Sequence, residues 1–169
     1  MEKPLAQAVR DIATPLPVIG WREWIALPDL GVEAMKVKVD SGARTSSLHA
    51  FEIERYRARG RDRVRFQVHP QQRKSKLVIA SSALLLDVRH VKSSNGAVSE
   101  RMVISTRISL LDQTFPIELS LSSRDEMGFR MLLGREAIRG RFLVDAARSY
   151  CDSSRRPAKS GRPHRKRRR

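Results

Sequence analysis

The stretch Asp40-Ser41-Gly42-Ala43 holds the residue types best suited to chemistry in this chain. It follows Met35-Lys36-Val37-Lys38-Val39, where apolar and charged side chains alternate with the period of two expected of a strand with one buried face. Such a strand, running directly into Ser-Gly, must end in a sharp loop. Gly42 lets the backbone turn and approach a partner closely, and the Ser41 hydroxyl can bond backbone groups across the loop. Asp40 is thereby held at the mouth of the loop rather than on the solvated face of the strand. Two readings follow. Asp40 is either a carboxylate placed for acid–base work or a turn aspartate that accepts backbone N–H bonds, and the tripeptide does not decide between them.

Other chemistries find less to work with. The four histidines, His49, His69, His90 and His164, are scattered without metal-ligand spacing, and Cys151 is the single cysteine. No His-Glu-x-x-His pair and no Gly-x-x-x-x-Gly-Lys-Ser/Thr phosphate loop occur. Neither a metal nor a cofactor is therefore expected. Arg44 follows the Asp40 loop directly, where a guanidinium would depress carboxylate pKa values or bind an acidic substrate. Pairing with a carboxylate such as Glu136 is the alternative, and Arg124 and Arg135 share the same ambiguity.

The elements that must position these residues read as strands. Val18 to Leu27 opens the folded part, and Val64 to Val68 alternates like Met35 to Asp40. Leu84 to Lys92 reads as a long strand ending at Ser93-Ser94-Asn95-Gly96. Asn-Gly is a strong hairpin signal because type I′ turns need positive φ at both central residues. The return strand runs from Ser99 to Ile108, and a second hairpin turns at Asp112-Gln113 before Phe115 to Leu121. Met131-Leu132-Leu133-Gly134-Arg135 leads into a short helix at Glu136 to Ile138, and Phe142 to Asp145 closes the fold. Seven or more strands, hairpin turns and little helix predict an all-β closed barrel or sandwich.

Two motifs now gain meaning from their order. Val37 to Ala43 resembles the catalytic loop of retroviral-type aspartic proteases, an apolar strand ending in Asp-Thr/Ser-Gly-Ala. Leu132-Leu133-Gly134-Arg135 resembles that family's second hallmark, and the hairpin between them lies where a retropepsin carries its flap. More narrowly, Asp40 to Ala50, Val91 to Gly96 and Arg124 to Arg135 resemble the bacterial retropepsin-like family labelled ATP-dependent zinc protease, associated with ATP-grasp glutamate ligases. The resemblance covers 18–151. It implies a retropepsin-like fold and peptidase chemistry with Asp40 as the catalytic carboxylate. Ser41, Gly42, Ala43, Arg44, Thr45 and His49 would form the loop and substrate-binding surface. Ser93, Ser94, Asn95 and Gly96 would tip the flap, and Arg135 would play a structural role. His49 is more readily a structural or supporting histidine than a metal ligand. Aspartic proteolysis needs two carboxylates sharing a proton, and Asp145-Ala146-Ala147 lacks the glycine of a second loop. A homodimer pairing two Asp40 side chains on a peptide or protein substrate is therefore expected. Acidic or glutamate-rich peptides are the substrates implied, and an ATP-grasp ligase the associated partner. The alternative is a non-catalytic retropepsin-like module that binds a peptide or partner and docks on nucleic acid through its basic tail.

Composition bounds the rest. The chain has 169 residues, enough for one domain with a tail. Residues 1–17 read as a flexible arm, 18–151 as the domain and 152–169 as a disordered basic tail. Nine Lys or Arg against one Asp give that tail half of the net charge of +16. Residues 155–169 can therefore contact nucleic-acid phosphates, although no aromatic is interleaved for base stacking. No apolar run of eighteen residues and no leader-like N-terminus occur, so a cytoplasmic protein without a membrane span is expected.

Overall fold

The computed structural model describes residues 15–72, 76–92, 96, 98–123, 128–152, 154 and 156. Eleven strands and one α-helical turn are present among them: β1 (Val18–Gly20), β2 (Arg22–Leu27), β3 (Val32–Asp40), β4 (Ser46–His49), β5 (Phe51–Ala58), β6 (Arg61–Val68), β7 (Ile79–Lys92), β8 (Val98–Leu110), β9 (Gln113–Ser122), β10 (Met131–Gly134), α1 (Arg135–Ile138) and β11 (Leu143–Asp145). The all-β expectation with one short helix after Leu132-Leu133-Gly134 is what the chain adopts.

Nine strands form one sheet in the order β2-β3-β10-β4-β9-β8-β7-β6-β5. The sheet curls until β2 meets β8 at Ala26 and Ser109. The strands from β2 round to β8 thus make a ring closed by one residue pair, and β7, β6 and β5 extend from it as a wing. β7 serves both parts: Ile79 to Leu84 pairs with β6, and Leu85 to Lys92 pairs with β8, with a register shift between Leu85 and Asp87. In β3, Met35 and Val37 are fully buried, as the alternation predicts. They meet Leu48, Ile104, Leu119 and Leu133 inside the ring. Each such side chain contributes about 1.5–3 kcal/mol by leaving water.

β1 and β11 form a separate parallel pair. Glu23, wholly buried on β2, laces this end together by accepting the backbone N–H groups of Gly20 at 2.7 Å, Cys151 at 3.0 Å and Asp152 at 3.2 Å. A 3-10 turn over Pro28–Leu30 links β2 to β3. Asp29 fastens it to β8 through the Arg107 backbone N–H at 2.9 Å and the guanidinium at 2.6 Å.

Candidate active site

The strands on either side of the Asp40 loop, β3 before it and β4 after it, do not pair with each other. β10 lies between them, parallel to β3 with Gly134 opposite Asp40, and antiparallel to β4 with Met131 opposite Leu48. The loop is therefore the mouth of a cleft in the sheet that a third strand fills. Gly134 is required here. A Cβ at this position would stand 2.5 Å from the carbonyl carbon of Thr45 and 2.8 Å from the Ser46 amide nitrogen, both backbone. Its own N–H donates to Ser46 Oγ at 3.0 Å, a buried contact that fixes the first residue of β4.

The start of α1 completes the brace. Arg135 N–H donates to Ala43 O at 2.8 Å and Glu136 N–H to Arg44 O at 3.1 Å. The Arg135 guanidinium reaches back to Ser41 O at 2.9 Å. Loop carbonyls that would otherwise face solvent are thus bonded to one rigid turn of the same chain.

Inside the loop, Asp40 Oδ1 accepts the N–H groups of Gly42 and Ala43, each at 3.1 Å. Oδ2 takes no hydrogen bond among the described residues. One carboxylate oxygen is pinned and the other is presented. Gly42 has ordinary rather than left-handed backbone, and a Cβ there would come within 3.3 Å of Oδ1. Its use is close approach to the carboxylate.

A cleft of about 620 Å³ adjoins the loop, lined by Arg44, Thr45, Ser46, Arg89, Pro116, Ile117, Glu118, Glu136 and Ala137. Arg89, on β7, ties the base of the β7–β8 hairpin to this site. It pairs with Asp87 at 2.9 Å and Glu118 at 2.8 Å and donates to Thr45 Oγ1 at 3.4 Å. These two carboxylates keep the guanidinium charged, their hydrogen bonds raising its pKa, with the Glu118 bond the larger effect. Arg44 is mostly exposed on the rim, with Glu136 at 3.9 Å. The pairing with Glu136 weighed from the sequence is thus present, and it leaves the guanidinium largely in solvent.

The structure gathers Asp40 to Thr45 and Leu132 to Arg135 in one place. His49 is set apart from them. It is buried at the far end of β4, its N–H bonded to Arg130 O at 2.8 Å, while the Asp40 loop enters β4 at Ser46. The β7–β8 hairpin sets Val88 opposite Met102 and Lys92 opposite Val98, one residue off the register of a two-residue Asn95-Gly96 turn. Gly96 has the positive φ of 83° that a turn needs, while Ser93, Ser94 and Asn95 lie outside the described residues, as does Arg124. Asp145 belongs to β11 and accepts the Ala147 N–H at 2.9 Å in a local turn. Sequence reasoning missed Arg89, Glu118 and Ser46. The alternation of β7 could have placed Arg89 on one face of the hairpin, but nothing local marks Glu118 as the partner of Arg89 or Ser46 as the partner of Gly134.

With this geometry in view, the chain resembles known proteins in three ways. A family model described as RimB-like, retropepsin-like aspartic endopeptidase RimB, matches residues 18–155. Proteins named probable alpha-L-glutamate ligase are similar in sequence. That of Shewanella halifaxensis is 46% identical over 134 residues, 79% of this chain and 29% of the relative. That of Desulfotalea psychrophila is 45% identical over 130 residues, 77% of this chain and 28% of the relative. The chain thus spans less than a third of the length of these curated relatives. A crystal structure of a Legionella pneumophila protein of unknown function superposes with a TM-score of 0.68 at 26% identity, covering 80% of this chain and 97% of that one.

Proposed function

The chain belongs to the RimB-like family of retropepsin-like aspartic endopeptidases, and from that premise we propose that it hydrolyses peptides as a homodimer, with Asp40 of each copy facing the other. The observation that carries the proposal is the half-satisfied carboxylate: Oδ1 pinned by two loop amides, Oδ2 presented. Two such carboxylates brought close cannot both ionise. The pair holds one proton, so the ionised member takes a proton from a bridging water while the protonated member hydrogen-bonds the scissile carbonyl. The water oxygen attacks the carbonyl carbon, and the same proton store then protonates the leaving nitrogen. Ser41 and Gly42 shape the loop, Ala43 donates to Asp40 from it, and the β7–β8 hairpin covers the peptide.

Acidic, glutamate-rich peptides are the proposed substrates. Arg44 stands exposed on the cleft rim and Thr45 offers a hydroxyl beside it. The named ligases carry a segment 45% or 46% identical to this chain, which makes glutamate chemistry the natural neighbour of the module and a glutamate ligase its proposed partner.

The test joins solution mass to cleavage. Light scattering across concentration is expected to show a dimer, and the dimer is expected to cut a glutamate-rich peptide. Asp40→Asn should lower the rate by about two to four orders of magnitude, the usual worth of a positioned proton-transfer group, while leaving mass and folding unchanged. A strict monomer at every concentration, or a peptide bound but never cut by the parent, would replace the peptidase reading with that of a binding module.

A further inference from the structure

The wing formed by β5, β6 and the first part of β7, Ile79 to Leu84, stands outside the ring, and none of these residues lines the cleft beside the Asp40 loop. Residues opposite one another across antiparallel strands share a face. The register sets Arg61 opposite Ala58, Arg63 opposite Tyr56 and Arg65 opposite Glu54, with Arg63 and Arg65 opposite Leu84 and Ser82 on the other side. Arg61, Arg63 and Arg65 therefore run down the middle strand, about 6.8 Å apart, on the face away from buried Val64, Phe66 and Val68.

Their charges are not equally spent. Arg65 is held by Glu54 at 2.7 and 2.9 Å, and Arg55 takes Asp62 at 2.8 Å. Among the described residues Arg63 is oriented only by neutral groups, Tyr56 Oη at 3.1 Å and Ser82 Oγ at 3.3 Å. Arg59, Arg61 and Arg63 make no ion pair among the described residues. These three line a concavity of about 630 Å³ whose remaining walls are Ala58 and Leu84. Arg59 also occupies the first of two positive-φ turn positions, φ 50° before Gly60 at 72°. Such a turn favours asparagine over a long side chain, and here it carries an arginine instead.

We propose that this face binds single-stranded nucleic acid, its phosphates on Arg59, Arg61 and Arg63 and a base against Ala58 and Leu84. The arginines supply the cationic row that a phosphate backbone needs. The apolar floor fits a flat base, whereas a glutamate peptide has carboxylates but no flat apolar group to cover it.

Fluorescence anisotropy with a labelled 12-nucleotide oligouridylate and the full chain tests this. The variant R59Q/R61Q/R63Q is expected to bind at least ten-fold more weakly at 100 mM salt. Its plot of log affinity against log salt should be shallower by about 2, three contacts at about 0.7 each. R59K/R61K/R63K should restore the slope, which a merely structural role would not require. In the parent chain, hydrogen exchange should slow over residues 55–65 and 82–86 when the oligonucleotide is added, an arm that needs no variant to fold. Asp40→Asn should bind like the parent, so this inference stands or falls apart from the peptidase reading. Parental affinity and slope in the glutamine variant would overturn it, leaving the contact to the basic residues 155–169. So would protection of the wing by polyglutamate and not by oligouridylate.

Discussion

Single atoms decide how firmly the Asp40 loop is held. Replacing Gly134 with alanine puts a carbon 2.5 Å from the Thr45 backbone, where no side-chain rotation can relieve it. The Gly134→Ala chain should lose about 3 kcal/mol, the upper part of the range for overpacking, seen as a lower Tm. Peptide cleavage should fall with it because the Asp40 loop shifts. An unchanged Tm would mean that β10 does not brace the loop as described. Cys151 gives a second prediction at this scale. Burial raises its thiol pKa, and the nearby Glu23 carboxylate raises it further. A raised pKa means that the thiol stays protonated at pH 8, and only the thiolate is nucleophilic. Iodoacetamide should therefore alkylate the folded chain at least ten-fold more slowly than the denatured one, and equal rates would count against that environment.

At the scale of elements, the turn between β2 and β3 depends on a surface carboxylate. Hydrogen bonds from the Arg107 side chain, with its backbone N–H next, hold Asp29 below the usual carboxylate range. A depressed folded pKa gives stability that is fully present above the unfolded value and is lost as pH falls through the folded one. Asp29→Asn should then cost up to about 1 kcal/mol at pH 7, a modest figure because the pair is partly exposed and screened. The two chains should converge in urea melts at acidic pH, and a constant gap down to pH 2 would rule the ion pair out as its cause. Elements also show what was legible beforehand. β3, the two hairpins, β10 and α1 were readable because each pairs a buried face with a turn signal. β4 and β5 were not: β4 is a four-residue strand with buried serine, and β5 is a charged edge strand on which apolar periodicity is weak. The insertion of β10 between β3 and β4 was not legible, since it joins residues about ninety positions apart.

At the scale of the whole molecule, the peptidase reading needs two chains, and one surface stands beside the strand that carries Asp40. Trp21, between β1 and β2, accepts the Val39 N–H at 2.8 Å and donates to Arg148 O at 3.0 Å, so the β1–β11 pair sits against the end of β3. That pair exposes Val18, Leu143 and Val144, and Leu16 continues the patch. Among the described residues its two strands pair with no third strand, which leaves room for a further one. A two-fold axis through this patch would bring the two Asp40 loops toward each other while burying apolar surface. Leu143→Lys, at a residue 55% exposed and hence without a core to disturb, should keep the parental Tm at high dilution. It should raise the dimer dissociation constant by at least ten-fold in light scattering, and peptide cleavage should fall in proportion to the dimer remaining. If the mass fell to that of one chain while cleavage continued, the shared-proton pair would be the wrong mechanism. If the mass did not change, the pairing surface would lie elsewhere on the ring.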